Sequence, residues 1–173
     1  MADKSVSANR IRQSLAFSEA GSADLDGLAE IEALSFSSDR LSRRSFARHI
    51  GNRNAAVIVA RSLSEIVGYA LVLFRSNSRI ARLYSLAVAP AFTGKSVGRA
   101  LLCEAQYVAR SRGAERLRLE VRTDNQRARS LYSSAGFQKI CDLPDYYADG
   151  GDGIRYEIAL GRGEETGGSG KEA

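Results

Sequence analysis

Glu120 stands among Leu117, Leu119 and Val121, where a charge is costly unless it is paired or put to use. Tyr132 follows on a segment of helical pattern that Asn125 opens. Upstream, Arg79 to Leu102 reads RIARLYSLAVAPAFTGKSVGRALL. Leu83, Tyr84, Leu86, Ala87 and Val88 make a short apolar run bounded by Arg82 and Pro90, the pattern of a core strand. Pro90 has no N–H to donate and ends the pairing. Gly94, Lys95, Ser96, Val97, Gly98 and Arg99 then lead into Leu101, Leu102, Ala105 and Val108 at helical spacing. A strand that feeds a loop opening a helix makes an anion site. First-turn amides lack internal partners and point along the positive end of the helix dipole.

Two phosphate-binding readings fit that loop. In one it is a nucleotide-triphosphate loop, since Gly94-Lys95-Ser96 is the second half of G-x-x-x-x-G-K-[ST]. The first glycine of that motif would fall at Ala89, and no later strand ends in an aspartate to hold Mg²⁺. In the other it cradles a pyrophosphate with backbone amides and needs no Lys–Mg²⁺ apparatus. A glycine-containing turn that binds nothing is the third possibility. Glu120 and Tyr132 also have structural alternatives: an ion pair with Arg118 or Arg122, and simple core packing.

The 173 residues suit one domain with a single core. Two cysteines are too few for a disulfide framework, and a single His49 without neighbouring ligands argues against zinc. No run is long and apolar enough for a membrane span, and the N-terminus lacks a signal-peptide apolar region, so a cytoplasmic location is expected. The formal charge of +5 comes from scattered arginines without interleaved aromatics, so no direct nucleic-acid binding is expected.

Residues 1–9 read as unstructured and 161–173 as a disordered Gly-rich tail, leaving a domain over 10–160. A strand is expected over 10–19, then a helix capped by Ser22, then a shorter one starting at Ser42. Ala55 to Ala60 and Ile66 to Phe74 read as a hairpin, followed by the strand and helix described above. Leu117 to Val121 is a strand, Asn125 to Ala135 a helix, and Gln138 to Leu143 and Ile154 to Leu160 close the domain as strands. The order β-α-α-β-β-β-α-β-α-β-β predicts an α/β (α+β) fold with a mixed, mainly antiparallel twisted sheet and helices on both faces.

This order, with LAVAPAFTGKSVGRALL, LRLEVRTDNQRARSLYSSAGF and DYYADGGDG in register, resembles the GNAT N-acetyltransferase superfamily. It is most similar there to the RimI-like ribosomal-protein N-terminal-alanine acetyltransferases. The resemblance implies direct acetyl transfer from acetyl-CoA, without a metal, to a primary amine. Leu86, Ala87 and Val88 would pair with the pantetheine arm, Gly94 to Arg99 would wrap the pyrophosphate, and Asn125 would bond the arm near the thioester. Glu120 matches the general base, Tyr132 the general acid, and the Val88 N–H the oxyanion donor. Two positions depart from the pattern: Thr93 stands where Arg or Gln is usual, and Ser96 where Gly is usual. The segment SDRLSRRSF also lacks the aromatic found near the matching place in ribosomal-alanine enzymes.

A carboxylate of ordinary pKa near 4.3 is a weak base, so burial must raise it or water must relay the proton. A phenol near 10 protonating a thiolate near 8.5 is uphill by roughly 2 kcal/mol. At pH 7 an α-amine is roughly 10–20% neutral and a lysine only ~0.04%, which favours a protein or peptide N-terminus as acceptor. Tyr146 and Tyr147 can wall the acceptor site, with Asp39 or Asp145 holding the cationic amine. Acetylation of a polyamine, amino acid or antibiotic, or a non-catalytic coenzyme-A-binding module, are the rival readings. A monomer or homodimer is expected.

Overall fold

The apolar runs pair as their alternation requires. The computed structural model describes residues 15–161. Its seven strands are β1 (Leu15–Glu19), β2 (Ala55–Ser62), β3 (Glu65–Leu73), β4 (Ile80–Val88), β5 (Arg116–Arg122), β6 (Gln138–Leu143) and β7 (Gly153–Ala159). They form one sheet in the order β1-β2-β3-β4-β5-β7-β6. Every neighbouring pair is antiparallel except β4 with β5. The helices are α1 (Leu25–Ser35), α2 (Arg43–His49), α3 (Val97–Ser111) and α4 (Gln126–Ser134).

Each helix lays its apolar stripe on one face of the sheet. α3 and α4 bury Val97, Leu101, Leu102, Ala105, Leu131 and Tyr132 against Leu83, Leu117, Leu119 and Val121. On the opposite face, Leu25, Leu28 and Ile31 of α1 and Phe46 of α2 cover Val57, Val59, Tyr69, Leu71 and Ala87. That second layer lies over β2, β3 and β4 only. Among the described residues, the polar residues of β5 and β7 on the same face therefore have no helix above them.

One local expectation changes. Ser22 lies in a 3-10 turn and does not cap the first helix. The Gly21 N–H instead donates to Asp24 Oδ2 at 2.8 Å, and Asp24 also accepts from Arg61 at 2.7 Å. A carboxylate at the helix start also suits the positive end of the macrodipole, which a neutral serine hydroxyl does less well. The first strand is described from Leu15, and positions 10–14 lie outside the described residues, as do 1–9 and the tail beyond Gly161. Ser42 does cap α2, its Oγ accepting from the Ser45 N–H at 3.1 Å.

What makes the site is a defect in the middle of the sheet. β3 and β4 pair Val72 with Leu83 but Leu71 with Ser85, leaving Tyr84 as an extra residue. Such a bulge bends its strand and turns the side-chain alternation over. Before it, Ala81 and Leu83 point toward α3; after it, Leu86 and Val88 do so, while Ala87 joins the α1 layer. β4 and β5 pair only from Ile80↔Arg116 to Leu83↔Leu119. Beyond the bulge the two parallel strands part.

Candidate active site

The parted strands leave backbone groups without partners. The Ala89 N–H donates to the Val67 carbonyl at 2.8 Å, so the odd positions of this end of β4 bond to β3. Antiparallel hydrogen bonding alternates, which aims the N–H and C=O of Leu86 and Val88 at the gap toward β5. At the start of α3, the amides of Gly94, Ser96, Val97, Gly98 and Arg99 donate to no protein group among the described residues. Ser96 occupies the left-handed region, with φ 64°, and Gly94 does too, with φ 76°. A serine in that conformation costs on the order of 1 kcal/mol against glycine.

These groups line a cleft of about 670 Å³, within the size range of small-molecule sites. Its walls include Leu86, Ala87, Val88, Gly94, Ser96 to Arg99, Asn125 and Tyr132, and one rim is Ser35 and Phe36. Lys95 is not among the lining residues; its ammonium sits 5.0 Å from the Phe92 ring centroid. The Arg99 guanidinium donates to Ser134 Oγ at 3.0 Å, tying α3 to the end of α4. Asn125 caps α4, its Oδ1 accepting from the Ala128 N–H at 3.0 Å, which leaves the amide NH₂ to face a ligand.

Glu120 lies just past the point of parting. Its side chain is 6% exposed, and Oε2 accepts from Arg82 Nε at 2.8 Å while Oε1 accepts from Arg155 Nε at 3.0 Å. It is thus ion-paired, but not with Arg118 or Arg122, the partners its sequence neighbourhood suggested. Arg118 reaches Glu157 and Arg122 reaches Asp149 instead. The reason is pleating: near neighbours on one strand sit too far apart, whereas β7 places Arg155 directly opposite Glu120.

Tyr132 is buried, packing its ring 5.8 Å from that of Phe137, while also lining the cleft. Burial first, and then the nearby Tyr147, push its phenol up to about 12. Proton transfer from it to a thiolate is then roughly 5 kcal/mol uphill, more than the sequence estimate. Tyr146 and Tyr147 stack edge to face with centroids 5.1 Å apart, and the Tyr146 hydroxyl accepts from Arg82 at 2.9 Å. Tyr147 carries the Arg122 guanidinium 4.6 Å from its ring centroid, and burial followed by Tyr146 pushes its phenol up to about 12. Arg82 thus joins Glu120 to Tyr146, whose ring in turn stacks on Tyr147. Asp39, in the left-handed region with φ 52°, is exposed and outside the cleft lining, as is Asp145.

Sequence reasoning missed a buried polar chain beneath this cluster. Tyr69 donates to Glu32 Oε2, Glu32 Oε1 accepts from the Leu41 N–H at 2.7 Å, and Ser85 lies 2.7 Å from the Tyr69 hydroxyl. Because the phenol's one proton goes to Glu32, Ser85 is the donor to Tyr69. Burial raises Glu32 above the usual carboxylate range. The chain fixes the 36–41 segment against β3 and the bulged part of β4. The one available signal was a glutamate on the apolar stripe of α1, beside Ile31 and Leu28.

The Acetyltransferase (GNAT) family profile matches residues 25–137. A curated relative, the N-alpha-acetyltransferase RimI of Mycobacterium tuberculosis (strain ATCC 25618 / H37Rv), is 37% identical over 128 residues, 72% of this chain and 79% of that protein. The chain belongs to the acetyltransferase (GNAT) family. It is accordingly an N-acetyltransferase by family. The solved ribosomal-protein-S18-alanine N-acetyltransferase from Escherichia coli superposes with a TM-score of 0.77 at 26% identity, over 88% of this chain and 97% of that one. Another relative, the uncharacterized protein ML0378 of Mycobacterium leprae (strain TN), is 37% identical over 134 residues. That match takes in 75% of this chain but only 36% of the relative. Among the described residues no helix is long and apolar enough to cross a membrane.

Proposed function

We propose that the chain transfers an acetyl group from acetyl-CoA directly to the N-terminal α-amine of a protein or peptide. The observation that carries this is the set of unpartnered amides, from Leu86 and Val88 to the first turn of α3, around a cleft sized for an extended carrier. The α3 amides suit a diphosphate, and Leu86 to Val88 suit a pantetheine arm bonded as an extra strand. The Asn125 NH₂ reaches toward the arm. A Val88 N–H aimed into the gap meets the negative charge that develops on the thioester oxygen.

Glu120 keeps one free lone pair on each oxygen after its two arginine bonds, enough to take the amine's proton through a water. Tyr132 hydrogen-bonds the sulfur as charge builds there, and its high pKa makes that assistance more fitting than outright proton donation. The acceptor enters between the 36–41 segment and the 144–153 loop, where Tyr146 and Tyr147 form one wall. The relatives named as N-alpha- and S18-alanine acetyltransferases support an N-terminal acceptor over a small-molecule amine. The test is a library of peptides with varied N-termini, incubated with acetyl-CoA and read by mass. Addition of one acetyl group at the terminal amine is expected. Acetylation of polyamines or amino acids with none on any peptide would overturn the reading.

A further inference from the structure

The uncovered face of the β4–β5–β7 half carries an arginine ladder. Arg82, Arg116, Arg118 and Arg155 all point there, alternating with core residues on their strands. Among the described residues of these strands only Glu120 and Glu157 stand among them, and each carboxylate is bracketed by two guanidiniums. Glu157 accepts from Arg116 at 2.8 Å and from Arg118 at 2.7 and 2.9 Å; Glu120 accepts from Arg82 and Arg155. Pairing therefore cannot neutralise the ladder, and its outer guanidiniums are open to water, Arg116 at 59% and Arg82 at 42% exposure. Exposed Tyr84, on the bulge, lies against Arg82.

We infer that this face receives an acidic stretch of the acceptor polypeptide, following the amine that reaches Glu120. The inference rests on the acetyl-transfer reading above. Strand rise is about 3.3 Å per residue, so Arg118 and Arg116 lie roughly 7 and 13 Å along β5 from Glu120. An extended acceptor with its amine at Glu120 brings its third and fifth residues level with those arginines. Carboxylates there exchange water for guanidinium partners, whereas arginine or lysine meets like charge. The same excess of positive charge near Glu120 favours the neutral, reactive form of the incoming amine.

The test uses the full chain, acetyl-CoA and three peptides with one common N-terminal residue and glutamate, serine or arginine at positions 3–5. The glutamate peptide is expected to have a kcat/KM at least about tenfold above the arginine peptide at low salt. The gap should narrow to about threefold or less at 0.5 M NaCl as screening shortens the range of the charges. Arg116→Gln leaves Arg118 to hold Glu157, and should cut the glutamate advantage several-fold without changing the serine peptide. Equal or better turnover of the arginine peptide, or an advantage unmoved by both salt and Arg116→Gln, overturns the docking face while leaving acetyl transfer intact. If no peptide releases thiol, the acetyl-transfer reading is what fails. Anisotropy of labelled glutamate and arginine peptides then decides the docking face on binding alone, tighter glutamate binding supporting it and equal binding removing it.

Discussion

The two sides of the gap between β4 and β5 are built from different materials. The α3 side is main chain: amides of Leu86, Val88, Gly94 and residues 96–99, with small side chains that let a ligand approach. The far side is side chain: Glu120 held by Arg82 and Arg155, Glu157 by Arg116 and Arg118, and a tyrosine pair from the last loop. A backbone cradle reads only the shape and charge common to a carrier, so substitutions there act through conformation. A side-chain ladder can be retuned residue by residue, and it is where a choice among acceptors has to be made.

The contrast is broken most directly at Glu120. Glu120→Gln keeps the shape of the site but not its charge, and should lower kcat by about 10² or more while coenzyme Kd, by calorimetry, stays within about twofold. A loss of coenzyme affinity equal to the loss of rate would mean that the two sides are not separable. Tyr132→Phe preserves the packing on Phe137 and should slow thiol release by roughly 10-fold to 100-fold with little change in Tm. Unaltered release would return Tyr132 to the core alone.

On the main-chain side, Gly68→Ala tests how closely β3 holds β4. A Cβ there would meet the Ala87 carbonyl oxygen and Leu101 Cδ1 at 2.8 Å. It should cost about 1–3 kcal/mol in urea unfolding and weaken coenzyme binding together, since the displaced strand carries Leu86 and Val88. Glu157 sharpens the other side through pH. Burial alone would raise its carboxyl, but hydrogen bonds from Arg118 and Arg116 outweigh it and hold the group below its ordinary 4.5. A depressed carboxyl stabilises the fold above the unfolded value and loses that contribution as pH falls through the folded one. The Tm gap between wild type and Glu157→Gln should therefore be full above pH 4.5 and close on further acidification; a constant gap would remove the ion pairs from the account. The smallest effect is expected at Ser96. Ser96→Gly relieves the left-handed backbone and should stabilise by up to about 1 kcal/mol, with coenzyme binding equal or tighter.

Legibility in the sequence follows the same division. The strand-loop-helix around Gly94 to Gly98, the Asn125 cap and the succession of strands and helices along the chain could be read because each depends on residues close together in the chain. The bulge at Tyr84 could not, since it exists only as a mismatch between two strands. Glu120 stood out, but its partners come from β4 and β7, far away in sequence, and the neighbours Arg118 and Arg122 were the wrong choice. The Glu32–Tyr69–Ser85 chain joins a helix to two strands, and nothing local marks it beyond one glutamate on an apolar stripe. Asp39, chosen by residue type alone, is exposed and lies outside the cleft lining.

The single parallel pair stops after Leu83↔Leu119, so the sheet has a slot through its middle. For the direct transfer proposed above, such a slot gives two reactants separate doors to one meeting point. Neither has to leave before the other arrives, and no residue need carry the acyl group in between. Initial-velocity plots should then intersect, and either product should inhibit without stranding an acylated protein.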